Sequence, residues 1–143
     1  SDQTRLSTAI RLVHGDELNL IIKGAIYGRP LVSEFNHYNC CYIPHPISYY
    51  LFPPPLVYWV PTIAPSSLVF MPIKKDYIWS GNAFISGLKS KAIFRLHIED
   101  DQIIHEEKFY VGNRIRAITI SHDLNLWAIE DGGAGRLLKL TLE

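Results

Sequence analysis

The sequence of 143 residues predicts an all-β protein, and three observations support this prediction. Apolar and polar side chains alternate in several stretches of its second half, which is the pattern of half-buried strands. Turn-forming residues separate these stretches at intervals of about 8–12 residues. No segment has the length and periodicity of a long helix. Regularly spaced strands of this kind are typical of a sandwich, a barrel or a propeller.

The clearest strand is the stretch KAIFRLHIE, in which apolar and polar residues alternate. Its apolar face comprises Phe94, Leu96 and Ile98, and its polar face comprises Arg95, His97 and Glu99. Asp100 and Asp101 then form a turn, and QIIHEEKFY returns as the next strand. We therefore predict two strands joined by a tight turn.

Three further strands are predicted towards the end of the chain, in RIRAITI, LWAIED and RLLKLTLE. The polar segment SHDLN separates the first two, and GGAG separates the last two. The final stretch places Leu138, Leu140 and Leu142 on one face. Near the other end of the chain, DELNLIIKG is too short and too rich in β-branched residues to predict a helix.

Composition indicates one globular domain with a core of its own, because 48% of the residues are hydrophobic and 20% are charged. The 14 basic residues balance the 14 acidic residues, so nothing indicates nucleic acid or an acidic membrane surface as a partner. No charge occurs between Glu34 and Lys74, a length that could span a bilayer. Prolines recur throughout that segment and block a helix, so we expect no membrane span but a packed, irregular or edge-strand region.

Cys40 and Cys41 are the two cysteines, and a bridge between adjacent cysteines is strained. We interpret them as small buried or half-buried side chains. His37 and His45 flank them, so a metal site is the alternative, although the spacing fits no usual zinc pattern. The cysteines do not determine the cellular compartment.

Four segments follow one another in a familiar order. They are GDELNLIIKGAIYGRPLVSE, VYWVPTIAPSSLVF, WSGNAFISGLKSKAIFRL and NRIRAITISHDLNLWAIEDGGAGRLLKL. In this order they resemble the C-terminal part of the soluble PQQ-dependent glucose/sorbosone (aldose sugar) dehydrogenases, which are six-bladed β-propellers. The resemblance covers nearly the whole chain, from about Gly15 onward, and we assign residues 1–143 to this C-terminal portion. It is weakest over residues 36–55, which we expect to be a variable loop region. It implies a partial β-propeller of about two to three blades.

The resemblance also implies a chemistry. In this family the cofactor PQQ, an ortho-quinone with three carboxylates, is held together with a calcium ion. An aldose loses a hydride from its anomeric carbon to the quinone while a histidine removes the hydroxyl proton. PQQ and calcium would thus be the cofactors, and an aldose sugar and an electron acceptor the partners. Family members are commonly periplasmic or secreted.

Arg114 and Arg116 are the strongest candidates for cofactor contacts. At i and i+2 on a strand their side chains share a face, and two like charges there favour an anion between them. The matching family arginines contact PQQ, as does the lysine that matches Lys89, while Thr62 matches a hydroxyl donor. The alternatives are a solvated arginine face paired with nearby carboxylates, and an ordinary surface lysine.

Asp16 is a further cofactor-side candidate, with a polar residue in a turn as the alternative. Tyr58 and Trp59 would be aromatic walls near the cofactor and the sugar, with a core position as the alternative for Trp59. The uncharged segment from Tyr58 to Phe70 would then fix a hydroxyl and an aromatic ring at the floor of a pocket.

The sequence departs from the family pattern at several positions. Residues 11–14 replace a glycine-proline pair whose carbonyls bind calcium, so the calcium site looks altered. Ile26 and Arg29 replace an asparagine and a tryptophan, and Ala117 replaces an aspartate that would orient an arginine. The catalytic histidine of the family lies in its N-terminal half, and no histidine here matches it. The unmatched residues are His14, His37, His45, His97, His105 and His122. No catalytic or metal-binding residue is therefore assigned.

We thus expect the C-terminal portion of a PQQ-dependent aldose sugar dehydrogenase, inactive by itself. The sequence starts at Ser1 without a methionine or a signal peptide, so the N-terminus is processed or the chain is a piece of a longer one. The alternative is a non-catalytic interaction module, because an unclosed propeller exposes strand edges that pair with a partner chain or with a second copy.

Overall fold

The computed structural model describes residues 6–9, 15–27 and 53–141, and in them all regular structure is β. Its strands are β1 (Leu6–Ala9), β2 (Asp16–Leu20), β3 (Val57–Trp59), β4 (Pro65–Phe70), β5 (Ala83–Gly87), β6 (Ala92–Glu99), β7 (Gln102–Tyr110), β8 (Ile115–Ile120), β9 (Leu126–Glu130) and β10 (Leu137–Leu140). They form three antiparallel sheets. The chain divides into two compact units, Ser1–Thr62 and Ile63–Glu143.

The first unit contains a three-stranded sheet in the order β1-β2-β3. The segment that begins DELNL forms β2, so it is a strand, and Asp16 lies opposite Trp59 of β3. From Asp16 to Asn19 every residue of β2 is buried. Most of the predicted variable loop, residues 36–52, lies outside the described residues, as do both cysteines, and residues 53–55 form no strand.

The second unit begins with a four-stranded sheet in the order β4-β5-β6-β7. The predicted strand KAIFRLHIE is β6, and QIIHEEKFY is β7. Glu99 pairs with Gln102, and the two aspartates between them have positive φ angles of 48° and 58°. Positive φ at both central residues is the geometry of a type I′ turn, whose twist matches that of the flanking strands. The predicted turn is therefore confirmed.

The second sheet of this unit has the order β10-β9-β8. It confirms the three strands predicted in RIRAITI, LWAIED and RLLKLTLE. Leu138 and Leu140 share one face as predicted and pack against the core, whereas the alternate residues Leu137 and Lys139 are exposed. Leu142 lies outside the described residues.

The two sheets of the second unit share one core, and β4 and β5 pack against β8. The buried members of this core are Met71, Trp79, Phe84, Ile93, Ile115, Ile118, Leu126 and Ala128. The rings of Trp79 and Phe84 meet edge to face with centroids 5.3 Å apart. Each large apolar side chain buried in this way contributes about 1.5–3 kcal/mol to the free energy of unfolding.

A serine pair in the uncharged segment joins the two sheets. Ser66, at an irregularity in the pairing of β4 with β5, donates from Oγ to the carbonyl of Ile115 at 2.6 Å. Ser67 donates in the same way to the carbonyl of Ile118 at 3.3 Å. The segment predicted to be packed, irregular or at a sheet edge thus supplies β3 and β4, each of which is the end strand of its described sheet.

Gly87, the last residue of β5, lies under the turn that follows it. A Cβ added there would overlap Ser90 Oγ and would lie 2.8 Å from the carbonyl oxygen of Ile63. That oxygen accepts hydrogen bonds from the amides of Lys89 and Ser90, at 3.0 and 3.1 Å, so it cannot easily move. Only glycine leaves room for this turn to close on residue 63.

We predict that Gly87→Ala lowers the free energy of unfolding by about 1–3 kcal/mol, because the methyl group overpacks a site closed by backbone atoms. Gly133→Ala is the matched control, since a Cβ there meets nothing within 4 Å. Denaturant unfolding of both variants measures the difference. Equal midpoints for the two would contradict the prediction.

Candidate functional site

Three connections of the second unit meet at one edge of its sheets. The turn of residues 88–91 contacts residue 63 through the amide of Lys89. The carbonyl of Lys91 accepts hydrogen bonds from the amides of Val111 and Gly112, at 2.9 and 3.2 Å. The carbonyl of Arg114 in turn accepts from the amide of Asp131 at 2.7 Å. These backbone bonds form a continuous chain, so the three connections hold one another in place.

Arg114 and Arg116 lie on this edge because of a β-bulge. Ile115 pairs with Glu130, and Ala117 pairs with Ile129, so Arg116 is the extra residue of β8. A bulge bends the strand and redirects a side chain that regular pairing would point elsewhere. Both arginine side chains are about half exposed, at 52% and 54%.

One carboxylate, that of Asp131, binds both arginines. Arg114 donates from Nε to Oδ2 at 2.8 Å, and Arg116 donates from Nε to Oδ1 at 3.0 Å. The Nη2 of Arg116 also lies 2.9 Å from Oδ1. These hydrogen bonds, first from Arg114 and then from Arg116, lower the pKa of Asp131 below its ordinary value. The carboxylate is therefore ionised at neutral pH.

The arginines are thus paired with a nearby carboxylate, which is the alternative that the sequence left open, and the anion between the like charges is Asp131. Two guanidiniums and one carboxylate still leave a net charge of +1. A guanidinium has five N–H donors. The bonds to Asp131 involve only Nε of Arg114, and Nε and Nη2 of Arg116, so both Nη groups of Arg114 and the Nη1 group of Arg116 are left for other partners. We name the group of Lys89, Arg114, Arg116 and Asp131 the basic edge.

Beside the basic edge, Glu130 forms a buried polar cluster that sequence reasoning missed. Its carboxylate accepts hydrogen bonds from Asn113 Nδ2 at 3.0 Å, from the Arg136 amide at 3.1 Å and from Arg136 Nε at 2.9 Å. Arg136 Nη2 also lies 2.7 Å from Oε1. These bonds, led by those from Arg136 and then Asn113, lower the pKa of Glu130 to about 2. The cluster fastens the GGAG connection to the loop that carries Arg114.

Lys89 lies in the turn of residues 88–91, and its side chain is exposed. Next to it, the Oγ of Ser90 is buried and has no hydrogen-bond partner among the described residues. A buried hydroxyl without a partner is costly, which makes this turn unusual. The turn thus combines an exposed ammonium group with an unpaired hydroxyl.

The remaining predicted residues belong to the first unit. Thr62 is buried, and Asp16 is fully buried at the start of β2, so it is not a turn residue. Tyr58 is 58% exposed, whereas Trp59 is 7% exposed. Because neighbouring residues of a strand point to opposite faces, these two rings do not line one wall together.

The described histidines lie away from the basic edge along the strands that carry them. His97 and His105 face each other within the β6–β7 hairpin, and His122 follows the far end of β8 from Arg114. His14, His37 and His45 lie outside the described residues, as do residues 11–14 at the expected calcium site. Over residues 6–9, 15–27 and 53–141, no three metal-ligating side chains come together.

The described part of the chain also contains no helix long and apolar enough to cross a membrane. Its small antiparallel sheets of three and four strands correspond to the blades of a β-propeller, and the chain forms part of such a propeller. Residues 12–139 match the family described as Glucose / Sorbosone dehydrogenase, and the chain belongs to this family. The resemblance inferred from the four segments is confirmed.

Relatives of known sequence and structure agree. The uncharacterised protein slr1608 of Synechocystis sp. is 36% identical over an alignment of 131 residues that covers 88% of this chain and 31% of that protein. The aldose sugar dehydrogenase YliI of Escherichia coli is 29% identical over an alignment of 131 residues that covers 89% of this chain and 35% of the enzyme. A solved glucose dehydrogenase is 29% identical with a TM-score of 0.84, covering 98% of this chain and 42% of that one.

The chain therefore spans about a third of the length of these two relatives and about two fifths of the solved structure. This confirms that the fold is that of a partial β-propeller.

We predict that Glu130 makes stability depend on acid pH. Its pKa falls from an ordinary 4.5 to about 2 on folding, so its contribution is complete above about pH 4.5 and is lost as the pH falls towards 2. Replacing Glu130 by Gln removes this dependence and leaves Arg136 without its carboxylate. The measurement is the free energy of unfolding in urea at pH 6 and at pH 3.

The free energy of unfolding should change less between pH 6 and pH 3 in Glu130→Gln than in the wild type. Glu99→Gln is the control, because Glu99 is an exposed carboxylate on another hairpin. A difference of the same size in Glu130→Gln and in the wild type would show that this carboxylate is not responsible.

Proposed function

We propose that the basic edge binds carboxylates of PQQ and that the chain is part of a PQQ-dependent aldose sugar dehydrogenase. The observation that carries this proposal is the arrangement of Arg114 and Arg116 on Asp131. It leaves a net positive charge and outward guanidinium N–H groups at a half-exposed site. Guanidinium groups suit carboxylates because two parallel N–H donors match the two carboxylate oxygens.

The donor set of the basic edge fits the chemistry of this cofactor. PQQ carries several carboxylates, and the basic edge offers two guanidiniums and the exposed ammonium of Lys89. The backbone bonds between the connections hold this set in a fixed arrangement. Donors that are held in place lose less conformational entropy when an anion binds.

Each residue then has a definite task. Arg114 and Arg116 bind and orient carboxylates, and the Lys89 ammonium attracts the anionic cofactor as a point charge. By family resemblance, Thr62 donates its hydroxyl to the cofactor and Asp16 lies on the cofactor side. Tyr58 and Trp59, on opposite faces of β3, would lie near the cofactor and the sugar. When bound, PQQ supplies the acceptor for a hydride from the anomeric carbon of an aldose.

Three further elements of the proposal rest on family membership. Calcium would accompany PQQ, with a site altered at residues 11–14. An electron acceptor would reoxidise the cofactor. The protein would work in the periplasm or outside the cell, where enzymes of this family are commonly found.

We predict that Arg114→Gln and Arg116→Gln each weaken PQQ binding by about 10- to 100-fold. Each removes hydrogen bonds between charged groups that are worth about 1.5–3 kcal/mol, and about 1.4 kcal/mol corresponds to a factor of ten. Lys89→Gln should have a smaller effect, because an ammonium group on a flexible stem makes less directional contacts. Isothermal titration of the full protein that carries this chain with PQQ measures the affinities.

Lys75→Gln is the matched control for Lys89→Gln. Lys75 is exposed in the connection between β4 and β5, at the opposite end of the sheet from the turn of residues 88–91. The control removes the same charge from a distant position. If the three basic-edge variants bind PQQ as tightly as the wild type and the control do, the basic edge is not the cofactor site.

We also predict that residues 1–143 alone do not oxidise sugars, even with PQQ and calcium added. The reaction needs a base for the hydroxyl proton, and no histidine of this sequence matches the family base. Reduction of a dye acceptor, with glucose and other aldoses as substrates, is the assay. Sugar-dependent reduction by the purified chain would refute the prediction, and the intact mass of the endogenous protein shows whether more chain exists.

The alternative proposal is a non-catalytic interaction module. It is favoured by β7, which among the described strands pairs only with β6. Two apolar side chains of β7 are largely exposed, Ile104 at 55% and Tyr110 at 71%. An open strand edge with apolar side chains pairs readily with another chain. Sedimentation of the full protein distinguishes the proposals, because a monomer at high concentration that binds PQQ argues against the module.

A further inference from the structure

The carboxylate of Asp131 has a role that goes beyond neutralising charge. We propose that Asp131 is a positioning residue, which holds the guanidiniums of Arg114 and Arg116 in the orientation that an incoming carboxylate requires. This inference rests on the proposed function, since the incoming group there is PQQ. Asp131 itself touches the arginines and acts through them.

The contacts show which part of each guanidinium is occupied. Asp131 takes the Nε–H of both arginines and one Nη of Arg116. Rotation about the last side-chain bonds would break these bonds, so both planar groups are held in place, with both Nη groups of Arg114 and Nη1 of Arg116 not bonded to Asp131. An unsupported arginine would instead sample many rotamers and would lose up to about 2 kcal/mol of entropy on binding.

Asp131 is itself held from both sides. Its amide donates to the carbonyl of Arg114 at 2.7 Å, which ties the carboxylate to the strand that carries the arginines. The preceding residue, Glu130, is bound by Asn113 and Arg136. The connection that follows is tight, because a Cβ on Gly135 would lie 2.5 Å from the carbonyl oxygen of Glu130. A carboxylate on such a support can fix the direction of longer side chains.

Two physical effects make opposite predictions for removing this charge. If Asp131 only neutralises, Asp131→Asn raises the net charge of the site by one and anions bind more tightly. If Asp131 positions the arginines, the same change frees both guanidiniums and anions bind more weakly despite the added charge. The sign of the change in affinity therefore decides between them.

The experiment titrates PQQ into the full protein and into its variants. We expect Asp131→Asn to weaken binding by about tenfold, the lower end of what loss of a residue that orients a metal ligand costs at metal sites. Asp123→Asn is the matched control. That carboxylate is held by Ser121 and Asn125 in the turn between β8 and β9, so its loss adds the same charge at the other end of the strands. PQQ affinity that is unchanged or tighter in Asp131→Asn overturns the inference.

A second readout separates this inference from the proposed function. In NMR spectra of ¹⁵N-labelled protein, the Nε–H signals of Arg114 and Arg116 should exchange slowly with water in the wild type and rapidly in Asp131→Asn. If the wild type does not bind PQQ, the proposed function fails, and these signals alone decide the role of Asp131. Equal exchange in both proteins overturns it.

If Asp131→Asn does not fold, Asp131→Glu replaces it in both measurements. This variant keeps the charge and displaces the carboxylate by one methylene group. Weaker binding at unchanged charge supports positioning, and wild-type affinity together with wild-type exchange overturns it.

Discussion

The packing of β4 against β8 is the contact on which the rest of the second unit depends. It joins two sheets that have no strand in common, and it does so with both apolar side chains and hydroxyl groups. Ser66 and Ser67 donate to two carbonyls of β8, so the backbone position of β8 is set relative to β4. Apolar packing alone is not directional, whereas these hydrogen bonds fix how far β8 slides along its neighbour.

This fixed position determines where the charged residues lie. Ile115 is buried and its carbonyl is held by Ser66, so the residues on either side of it have little freedom. Arg114 precedes it and Arg116 follows it in the bulge, and both point towards the residue that follows β9. In β8, Ile115 therefore packs in the core, and the next residue, Arg116, is half exposed and binds Asp131.

Much of the fold follows from local sequence pattern, and less of the site does. Alternation in residues 91–99 and paired aspartates at 100 and 101 predict a hairpin because strand and turn preferences are local. The bulge at Arg116 is invisible to such patterns, since it depends on how β8 pairs with β9. Asp131 was missed for the same reason. The sequence did contain a usable signal, because the acidic pair Glu130-Asp131 lies at the end of β9 and the arginine pair lies at the start of its neighbour β8.

Asp131 also resolves a conflict within the sequence. By resemblance to the family, Ala117 stands where an aspartate would orient an arginine. In the structure the carboxylate that binds both arginines comes from the residue after β9, and Arg116 lies in the bulge of β8. The anion that makes the two like charges tolerable is Asp131 itself, so this arrangement is stable without a ligand. Because one carboxylate offsets only one of the two guanidinium charges, the group keeps a net charge of +1 and free N–H donors. An anionic ligand is attracted to that remaining charge, and the proposed binding of a carboxylate rests on it.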